Sequence, residues 1–238
     1  PLVPGYEAVP ALLRHAREGL GGTLSAFEMM WPDFYEAVTS GVPGMPRPLP
    51  LGAGGYVLIE SLGSEQEGDQ LRFDRMLESA VEQDLVIDAA VARSAADARA
   101  FWQVRDSSGE FHRILAGNVG YDLGIPTRDA GRFVEACAAA LRARWPQVQT
   151  VFFGHIGDSN LHLHVGLADT PFPVEDINAV VYGVVRDWHG TISAEHGIGL
   201  LKRPYLGYTR TAAELATMRT IKQALDPHGI LNPGKVLG

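Results

Sequence analysis

The sequence predicts an α+β fold in which helices flank an antiparallel sheet. Segments with the two-residue period of strands alternate with segments whose apolar residues recur at the spacing of a helix. Several linkers between these segments are short enough to join antiparallel neighbours, which favours an α+β arrangement over a doubly wound parallel sheet. The clearest unit is a hairpin over residues 151–166, in which two apolar strands are joined by a polar turn.

The first part of the chain predicts two helices, two strands and a long loop. Residues 6–20 carry a helical apolar stripe that ends at two glycines, and residues 23–30 form a strand. A second helix begins at Pro32, because proline suits the first turn, where its missing N–H has no partner. Four prolines between 42 and 50 predict an extended loop, and a strand follows over 56–62.

The middle of the chain continues the alternation. A helix with one apolar face is predicted from the spacing of Phe73, Met76, Leu77, Ala80 and Val81. Strands are predicted over 85–91 and over 111–121, the second interrupted by Gly117 and Gly120. Between them, Ser94 caps a helix that runs to Arg105.

The last helices carry clear signals at their ends and on their apolar faces. A helix that begins at Thr127 places Cys137 on its apolar stripe, so we interpret this thiol as a buried small hydrophobe rather than a nucleophile. The cleanest amphipathic helix covers 177–188. Thr211 and Glu214 form a capping box that opens the final helix, which ends near Asp226.

Composition excludes several classes of protein. The chain has 238 residues, 46% of them hydrophobic, enough for one or two domains with a substantial core. A formal charge of −8 and the lack of a basic run argue against nucleic acid as a partner. No segment approaches the roughly 18 apolar residues of a membrane span, no leader pattern begins the chain, and the single cysteine excludes an intrachain disulfide. We therefore expect a cytoplasmic protein.

Histidines and glycines concentrate in the hairpin. Side chains alternate along a strand, so His162 and His164 share one face while Leu161, Leu163 and Val165 take the other. Glycines flank His155 at positions 154 and 157, which lets backbone or a ligand approach closely. Packing alone explains this pattern poorly, and the hairpin is interpreted as part of a site.

A second stretch, residues 191–202, supplies a complementary group. It places the carboxylate of Glu195 beside His196, and glycines follow at 197 and 199. Two imidazoles and one carboxylate are a common ligand set for a divalent metal with an open position. From spacing alone, a metal site and a set of hydrogen-bonded core residues are equally well supported.

Three ordered motifs resemble a known family. Residues 154–163 (GHIGDSNLHL), 192–199 (ISAEHGIG) and 225–235 (LDPHGILNPGK) resemble the C-terminal half of FAD-linked oxidases of the vanillyl-alcohol-oxidase type, and residues 22–30 (GTLSAFEMM) resemble that family's cap domain. The chain is similar to D-lactate, glycolate and D-2-hydroxyglutarate dehydrogenases. The resemblance implies a ferredoxin-like cap or substrate domain over 1–190 and a C-terminal helical segment over 191–238 that packs on the FAD domain.

The resemblance also implies roles for individual residues. His155, His162 and Glu195 would bind a divalent metal, usually zinc, and His196 would remove the hydroxyl proton of the substrate. Arg105 would pair with the substrate carboxylate. The alternatives are that His196 only orients the metal site and that Arg105 stabilises the last carbonyls of its helix.

Two further residues complete the predicted site, and two departures from the family pattern limit it. Asn232 would lie near the flavin, and His164, interpreted as a substrate or second-layer contact, stands where close relatives carry Asn. Gly120 stands where the dicarboxylate-specific relatives carry Lys, which weakens a dicarboxylate assignment. Nothing before residue 150 resembles the family's glycine-rich pyrophosphate loops, so we expect FAD to be held mainly by another domain or subunit.

The sequence therefore predicts the C-terminal domain of a flavin-linked, metal-assisted dehydrogenase that oxidises a D-lactate-like 2-hydroxy acid to the 2-oxo acid. Its expected partners are the hydroxy acid and an FAD-binding domain or subunit, with a homodimer left open. Two alternatives come from other classes: a non-catalytic module that binds metal and carboxylate, and a metal-dependent hydrolase in which Glu195 or His196 activates water.

Overall fold

A computed structural model of the chain describes residues 1–52, 54–168 and 171–237 and confirms the α+β class. Its strands form a single antiparallel sheet in the order β1-β3-β2-β5-β6-β4. Their bounds are Leu2–Val3 (β1), Leu24–Met30 (β2), Gly55–Ser61 (β3), Asn118–Gly124 (β4), Gln149–His155 (β5) and Asn160–Gly166 (β6). The hairpin of β5 and β6 is the one predicted from residues 151–166.

The helices agree with the apolar stripes read from the sequence. Their bounds are Val9–Leu20 (α1), Pro32–Gly41 (α2), Gln66–Glu82 (α3), Ala95–Arg105 (α4), Phe111–Ile114 (α5), Ala130–Arg144 (α6), Val174–Asp187 (α7) and Ala212–Leu225 (α8). Ser94 accepts a hydrogen bond from the N–H of Asp97, and Thr211 and Glu214 form the complete capping box. Both predicted caps are confirmed.

Three details of the prediction are wrong. Residues 85–91 form no strand, and only Asp88 bridges to Leu2. The segment 111–121 begins as α5, because Phe111 is fully buried on a helical turn, and the strand starts only at Asn118. Val81 is 44% exposed, since it lies one position beyond the buried Ala80 and so turns away from the sheet. Short apolar runs fit a strand or a buried helical segment equally well, which explains the first two errors.

The two faces of the sheet are covered differently. Helices α1, α3, α6 and α7 pack on one face and form the larger core, in which Cys137 is completely buried. Burial raises the pKa of its thiol to about 12, which agrees with a packed hydrophobe. Helices α2, α4 and α5 cover part of the opposite face around Phe34, Phe111 and Phe153. Polar side chains of β4, β5 and β6 point to this second face.

Residues 191–237 are attached to the end of the sheet. Thr191 and Gly124 exchange backbone hydrogen bonds of 2.8 and 3.0 Å, and Tyr205 packs on Tyr182 of α7 at 4.7 Å between ring centroids. No residue of α8 is buried. The division of the chain at residue 190 stays a prediction. Within the described ranges, no helix is long and apolar enough to cross a membrane.

Candidate active site

The register of the sheet collects the predicted histidines on one face. Glu28 on β2 lies opposite His155 on β5, and His162 on β6 lies between Phe153 and Asp122 on its two neighbouring strands. The backbones of the two strands approach each other closely at the hairpin turn. A Cβ atom at position 154 would lie only 2.3 Å from the carbonyl oxygen of Asn160. Glycine at 154 therefore permits the close approach of backbone that the sequence predicted.

Two imidazoles and a carboxylate converge at this end of the sheet. His155, His162 and Glu195 each offer one ligand atom, and these atoms lie within 4.8 Å of one another. The Nε2 atom of His162 is 3.7 Å from the Oε1 atom of Glu195, whose side chain is half exposed. Two imidazole nitrogens, one hard oxygen and an open side match the ligand set that zinc prefers in catalytic sites. The structure thus brings together the three residues predicted to bind metal.

Burial keeps one of the two imidazoles neutral. The ring of His162 stacks on Phe153 at 4.9 Å. Removal from water, followed by the charge of nearby His155, lowers the pKa of His162 to about 4. The ring of His155 differs, since its hydrogen bond to Glu28 raises its pKa. A lone pair on His162 is therefore free of competition from protons at neutral pH.

Asp122 organises the segment that carries Glu195 and His196. Its side chain is completely buried. Its two oxygens accept hydrogen bonds from the hydroxyl of Ser193 (2.7 Å), the ammonium of Lys202 (2.9 Å), and the backbone N–H groups of Ala194 (3.0 Å), Glu195 (2.9 Å) and His196 (3.1 Å). Burial opposes ionisation, but these donors, led by Lys202 and Ser193, hold the pKa of Asp122 far below its usual range.

The saturation of Asp122 decides between two candidate metal groups. Asp122, Glu195 and His196 also offer ligand atoms within 4.8 Å of one another. A carboxylate has about four lone-pair sites, and those of Asp122 already accept five donors. We therefore assign Asp122 to the support of the loop, and the group of His155, His162 and Glu195 remains the metal candidate.

Arg105 reaches the cluster from the end of α4. Its Nε atom donates to the Oε2 atom of Glu28 at 2.9 Å, and its Nη2 atom lies 2.9 Å from the Nε2 atom of His155. The alternative interpretation placed this side chain on the last carbonyls of its helix, but its hydrogen bonds go to the sheet instead. Arg105 is thus beside the metal candidate, as the predicted role in binding a carboxylate requires.

The rings of His196 and His164 differ in their exposure to solvent. The ring of His196 is 63% exposed, with its Nε2 atom 3.5 Å from the Oε1 atom of Glu195. The ring of His164 is half buried, with its Nδ1 atom 3.1 Å from the Oδ1 atom of Asn118. Burial, followed by the charge of His162, lowers the pKa of His164 to about 4. Of the two imidazoles, that of His196 is the more accessible to solvent. The side chains of His164 and Asn118, which contact each other, are called the wall of the site below.

The remaining predicted residue, Asn232, lies in the C-terminal segment. Asn232 is exposed in the turn after α8, with a positive φ of 46°, and its carbonyl accepts the N–H of Lys235. Its predicted contact with flavin stays a prediction.

Sequence reasoning missed two carboxylates of the site, Glu28 and Asp122. Glu28 lies within the strand predicted over 23–30 and Asp122 one residue beyond the strand predicted over 111–121, and apolar residues flank each of them. A charge at such a position is costly to bury unless it is paired, so a single acidic residue inside an apolar strand was the available signal.

Comparison with known sequences places these residues in a family context. The profile of the C-terminal domain of FAD-linked oxidases matches residues 3–236. Over 237 residues, the chain is 32% identical to a mitochondrial D-2-hydroxyglutarate dehydrogenase of Arabidopsis thaliana, with 98% of this chain and 41% of the relative covered. It is also 32% identical over 243 residues to a putative mitochondrial D-lactate dehydrogenase of Schizosaccharomyces pombe, with 98% of this chain and 46% of the relative covered.

A bacterial relative gives the same picture. The chain is 31% identical over 241 residues to a D-2-hydroxyglutarate dehydrogenase of Stutzerimonas stutzeri, with 98% of this chain and 50% of the relative covered. The chain thus spans half or less of the length of these three relatives.

Solved structures share the fold at lower identity. A 4-ethylphenol oxidase from Gulosibacter chungangensis superposes with a TM-score of 0.62 at 15% identity, covering 99% of this chain and 52% of that one. An alkyldihydroxyacetonephosphate synthase superposes with a TM-score of 0.55 at 11% identity, covering 98% and 43%. Identities this low establish a common fold alone.

Proposed function

The chain belongs to the family of C-terminal domains of FAD-linked oxidases, and from that premise we propose that it is the substrate-side half of a metal-assisted 2-hydroxy-acid dehydrogenase. One observation carries the proposal: His155, His162 and Glu195 converge within 4.8 Å, with Arg105 in contact with His155 and His196 close to Glu195. The names of the relatives support oxidation over the two alternatives, a hydrolase and a non-catalytic binding module.

The residues of the chain divide the work of oxidation. His155, His162 and Glu195 would hold the metal. Arg105 would bind the carboxylate of the 2-hydroxy acid, a task suited to its planar fork of donors. His196 would accept the hydroxyl proton at its exposed ring. When bound, the metal would lower the pKa of the substrate hydroxyl, and the flavin would accept the hydride from the adjacent carbon.

The wall around His164 supports a substrate with a single carboxylate. On the site face, β4 presents Asn118, Gly120 and Asp122, and β6 presents Asn160, His162 and His164, so neither strand offers Lys or Arg there. A Cβ on Gly120 would lie 3.1 Å from the Cε1 atom of His164, so this neutral ring covers the glycine. A second carboxylate would meet no cation on these strands, which supports a D-lactate-like acid.

We further propose that residues 191–238 pack on the FAD-binding domain or subunit. Six large hydrophobic side chains of this segment are exposed: Leu200, Leu201, Ile221, Leu225, Ile230 and Leu231. Exposed apolar residues gathered in one segment are typical of an interaction surface. Asn232 lies in the same segment, which supports its predicted position near the flavin.

The relatives from A. thaliana and S. pombe carry mitochondrial names. For this chain, a cytoplasmic location and a homodimer stay predictions.

Flavin reduction tests the proposed function. The flavin-containing protein that carries this domain is mixed anaerobically with D-lactate or with D-2-hydroxyglutarate, and bleaching of the flavin absorbance is recorded. We expect D-lactate to reduce the flavin with the higher kcat/KM, because the wall beside His164 is neutral. Absence of reduction by either acid would contradict a 2-hydroxy-acid dehydrogenase, and a preference for D-2-hydroxyglutarate would contradict the substrate class alone.

Zinc binding tests the metal separately. We expect the chain, after treatment with a chelator, to take up about one zinc ion, because three ligands are already close together. His162→Ala removes a ligand and should abolish stoichiometric uptake in equilibrium dialysis followed by elemental analysis. His228→Ala is the matched control, since His228 is exposed in the C-terminal segment. Uptake by His162→Ala equal to that of the control would sink the assignment.

A further inference from the structure

Glu28 is a buried carboxylate shared by two residues of the site. It is 6% exposed on β2, where β2 and β5 meet. Its Oε2 atom accepts from the Nε atom of Arg105 at 2.9 Å, and its Oε1 atom lies 2.8 Å from the Nδ1 atom of His155. The guanidinium of Arg105 at this distance pairs with the ionised carboxyl group, so both oxygens of Glu28 act as acceptors.

The hydrogen bond with Glu28 allows only one tautomer of the neutral His155 ring. An ionised carboxylate can only accept hydrogen bonds, so the Nδ1 atom that faces Glu28 must carry the proton. In the neutral ring the Nε2 atom is then bare, and the Nη2 atom of Arg105 lies 2.9 Å from it and 3.4 Å from Nδ1. The contact with Glu28 thus selects the Nδ1–H form, and Nε2 is the nitrogen that keeps a lone pair.

We propose that Glu28 is a positioning residue that sets both the tautomer of His155 and the direction of Arg105. One carboxylate thereby couples a metal ligand to the group that binds the substrate carboxylate. The inference rests on the proposed function for the roles of these two partners, while the tautomer itself follows from hydrogen bonding alone. Partners of this kind on the far nitrogen of a ligating histidine tune metal affinity by roughly 10- to 100-fold.

Glu28→Gln is the most specific test of this role. Glutamine has the same shape as glutamate, but its amide cannot accept hydrogen bonds from both His155 and Arg105. If its oxygen faces the Nδ1–H group of His155, its NH₂ group opposes the N–H donor of Arg105. If the amide is flipped, Nδ1 must lose its proton, and Nε2–H then opposes the second donor of Arg105. Either orientation leaves donors facing each other.

Glu60 supplies the matched control. It is a half-buried carboxylate on β3 whose oxygens accept from the Nε1 atom of Trp102 at 2.9 Å and from the hydroxyl of Ser25 at 2.8 Å. Trp102 belongs to α4, as Arg105 does, so both carboxylates tie the same helix to the sheet. A hydroxyl can donate or accept, so Glu60→Gln can satisfy both contacts.

The first measurement is the tautomer of His155 in the metal-free chain. The protein is labelled with ¹⁵N-histidine, its spectrum is recorded at alkaline pH, where imidazoles are neutral, and the His155 signal is assigned with His155→Asn. We expect the Nδ1–H pattern in the wild type and in Glu60→Gln, and a mixture of tautomers in Glu28→Gln. A conservative Glu28→Asp keeps an acceptor-only group and should retain the Nδ1–H pattern.

The second measurement is zinc affinity by chelator competition, with KM and kcat in the flavin-containing protein. We expect Glu28→Gln to weaken zinc binding by roughly 10- to 100-fold and to raise KM for the 2-hydroxy acid, while Glu60→Gln changes neither. The proposal is overturned if Glu28→Gln keeps the Nδ1–H tautomer and binds zinc as tightly as the control. The proposal is also overturned if the His155 ring of the wild-type protein carries its proton on Nε2. That result does not depend on whether any variant folds. A wild type that binds no zinc contradicts the proposed metal site instead, and the tautomer still decides the role of Glu28.

Discussion

In the flavin-containing enzyme, His196→Ala is expected to slow flavin reduction by roughly two to four orders of magnitude, the usual contribution of a positioned general base. The ring is 63% exposed and lies 3.5 Å from Glu195, so it can meet a substrate hydroxyl held at the metal candidate. Stopped-flow absorbance at saturating 2-hydroxy acid measures the rate directly.

Metal content separates proton transfer from metal binding. The backbone N–H of His196 donates to Asp122 at 3.1 Å, whereas the Nδ1 atom of its ring lies 3.8 Å away, so truncation of the ring should leave the loop and zinc uptake near normal. His162→Ala should instead lose zinc and activity together. If His196→Ala reduces its flavin at the parent rate with zinc retained, the base lies elsewhere, and His164 is the next candidate.

Asp122→Asn is expected to lower the free energy of unfolding by about 3–5 kcal/mol, the cost of breaking a buried ion pair by removing one partner. The amide would turn an NH₂ group toward donors now held by a carboxylate oxygen, and the ammonium of Lys202, only 13% exposed, would lose its counter-charge. For a chain of this size, such a loss lowers the melting temperature by roughly 10 °C. Thermal unfolding followed by circular dichroism measures the shift.

The loss of stability caused by Asp122→Asn should be smaller in acid than near neutral pH. The folded pKa of Asp122 lies far below that of an unfolded aspartate, which is about 4. The stabilisation is therefore complete above about pH 4 and is lost only as pH falls from there through the folded value. The gap between wild type and variant should be constant near neutrality and narrow in acid.

Two variants control for the loss of a negative charge. Asp129→Asn removes a carboxylate that pairs with Arg132 and Arg128 at the surface, and exposed pairs contribute at most about 1 kcal/mol. The double variant Asp122→Asn with Lys202→Met removes both partners of the buried pair and should recover part of the stability. A melting temperature of Asp122→Asn equal to that of Asp129→Asn would show that the buried network contributes little.

The sequence alone determined the elements that depend on local pattern. The apolar stripe of α1, at Val9, Leu12, Leu13, Ala16 and Leu20, is buried as predicted, because 3.6-residue periodicity fixes which side of a helix meets the sheet. Two-residue periodicity likewise placed His162 and His164 on one face of β6. The family resemblance is confirmed by the profile match over residues 3–236. Each motif that carried the resemblance is an uninterrupted run of residues, so it was visible in the sequence.

Only the tertiary structure decided the contacts that join distant strands. Glu28 and His155 are 127 residues apart, and they meet because β2 and β5 happen to pair at the centre of the sheet. Asp122, near the end of β4, accepts hydrogen bonds from Ser193 and His196, which lie 71 and 74 residues later in the chain. Periodicity indicates that a strand position is buried. It does not indicate which distant hydrogen-bond donor compensates a charge at that position, because the order of the strands is set by the packing of the whole domain. The proposed ligands were therefore readable from the sequence, and the buried carboxylates that contact them and their loop were not.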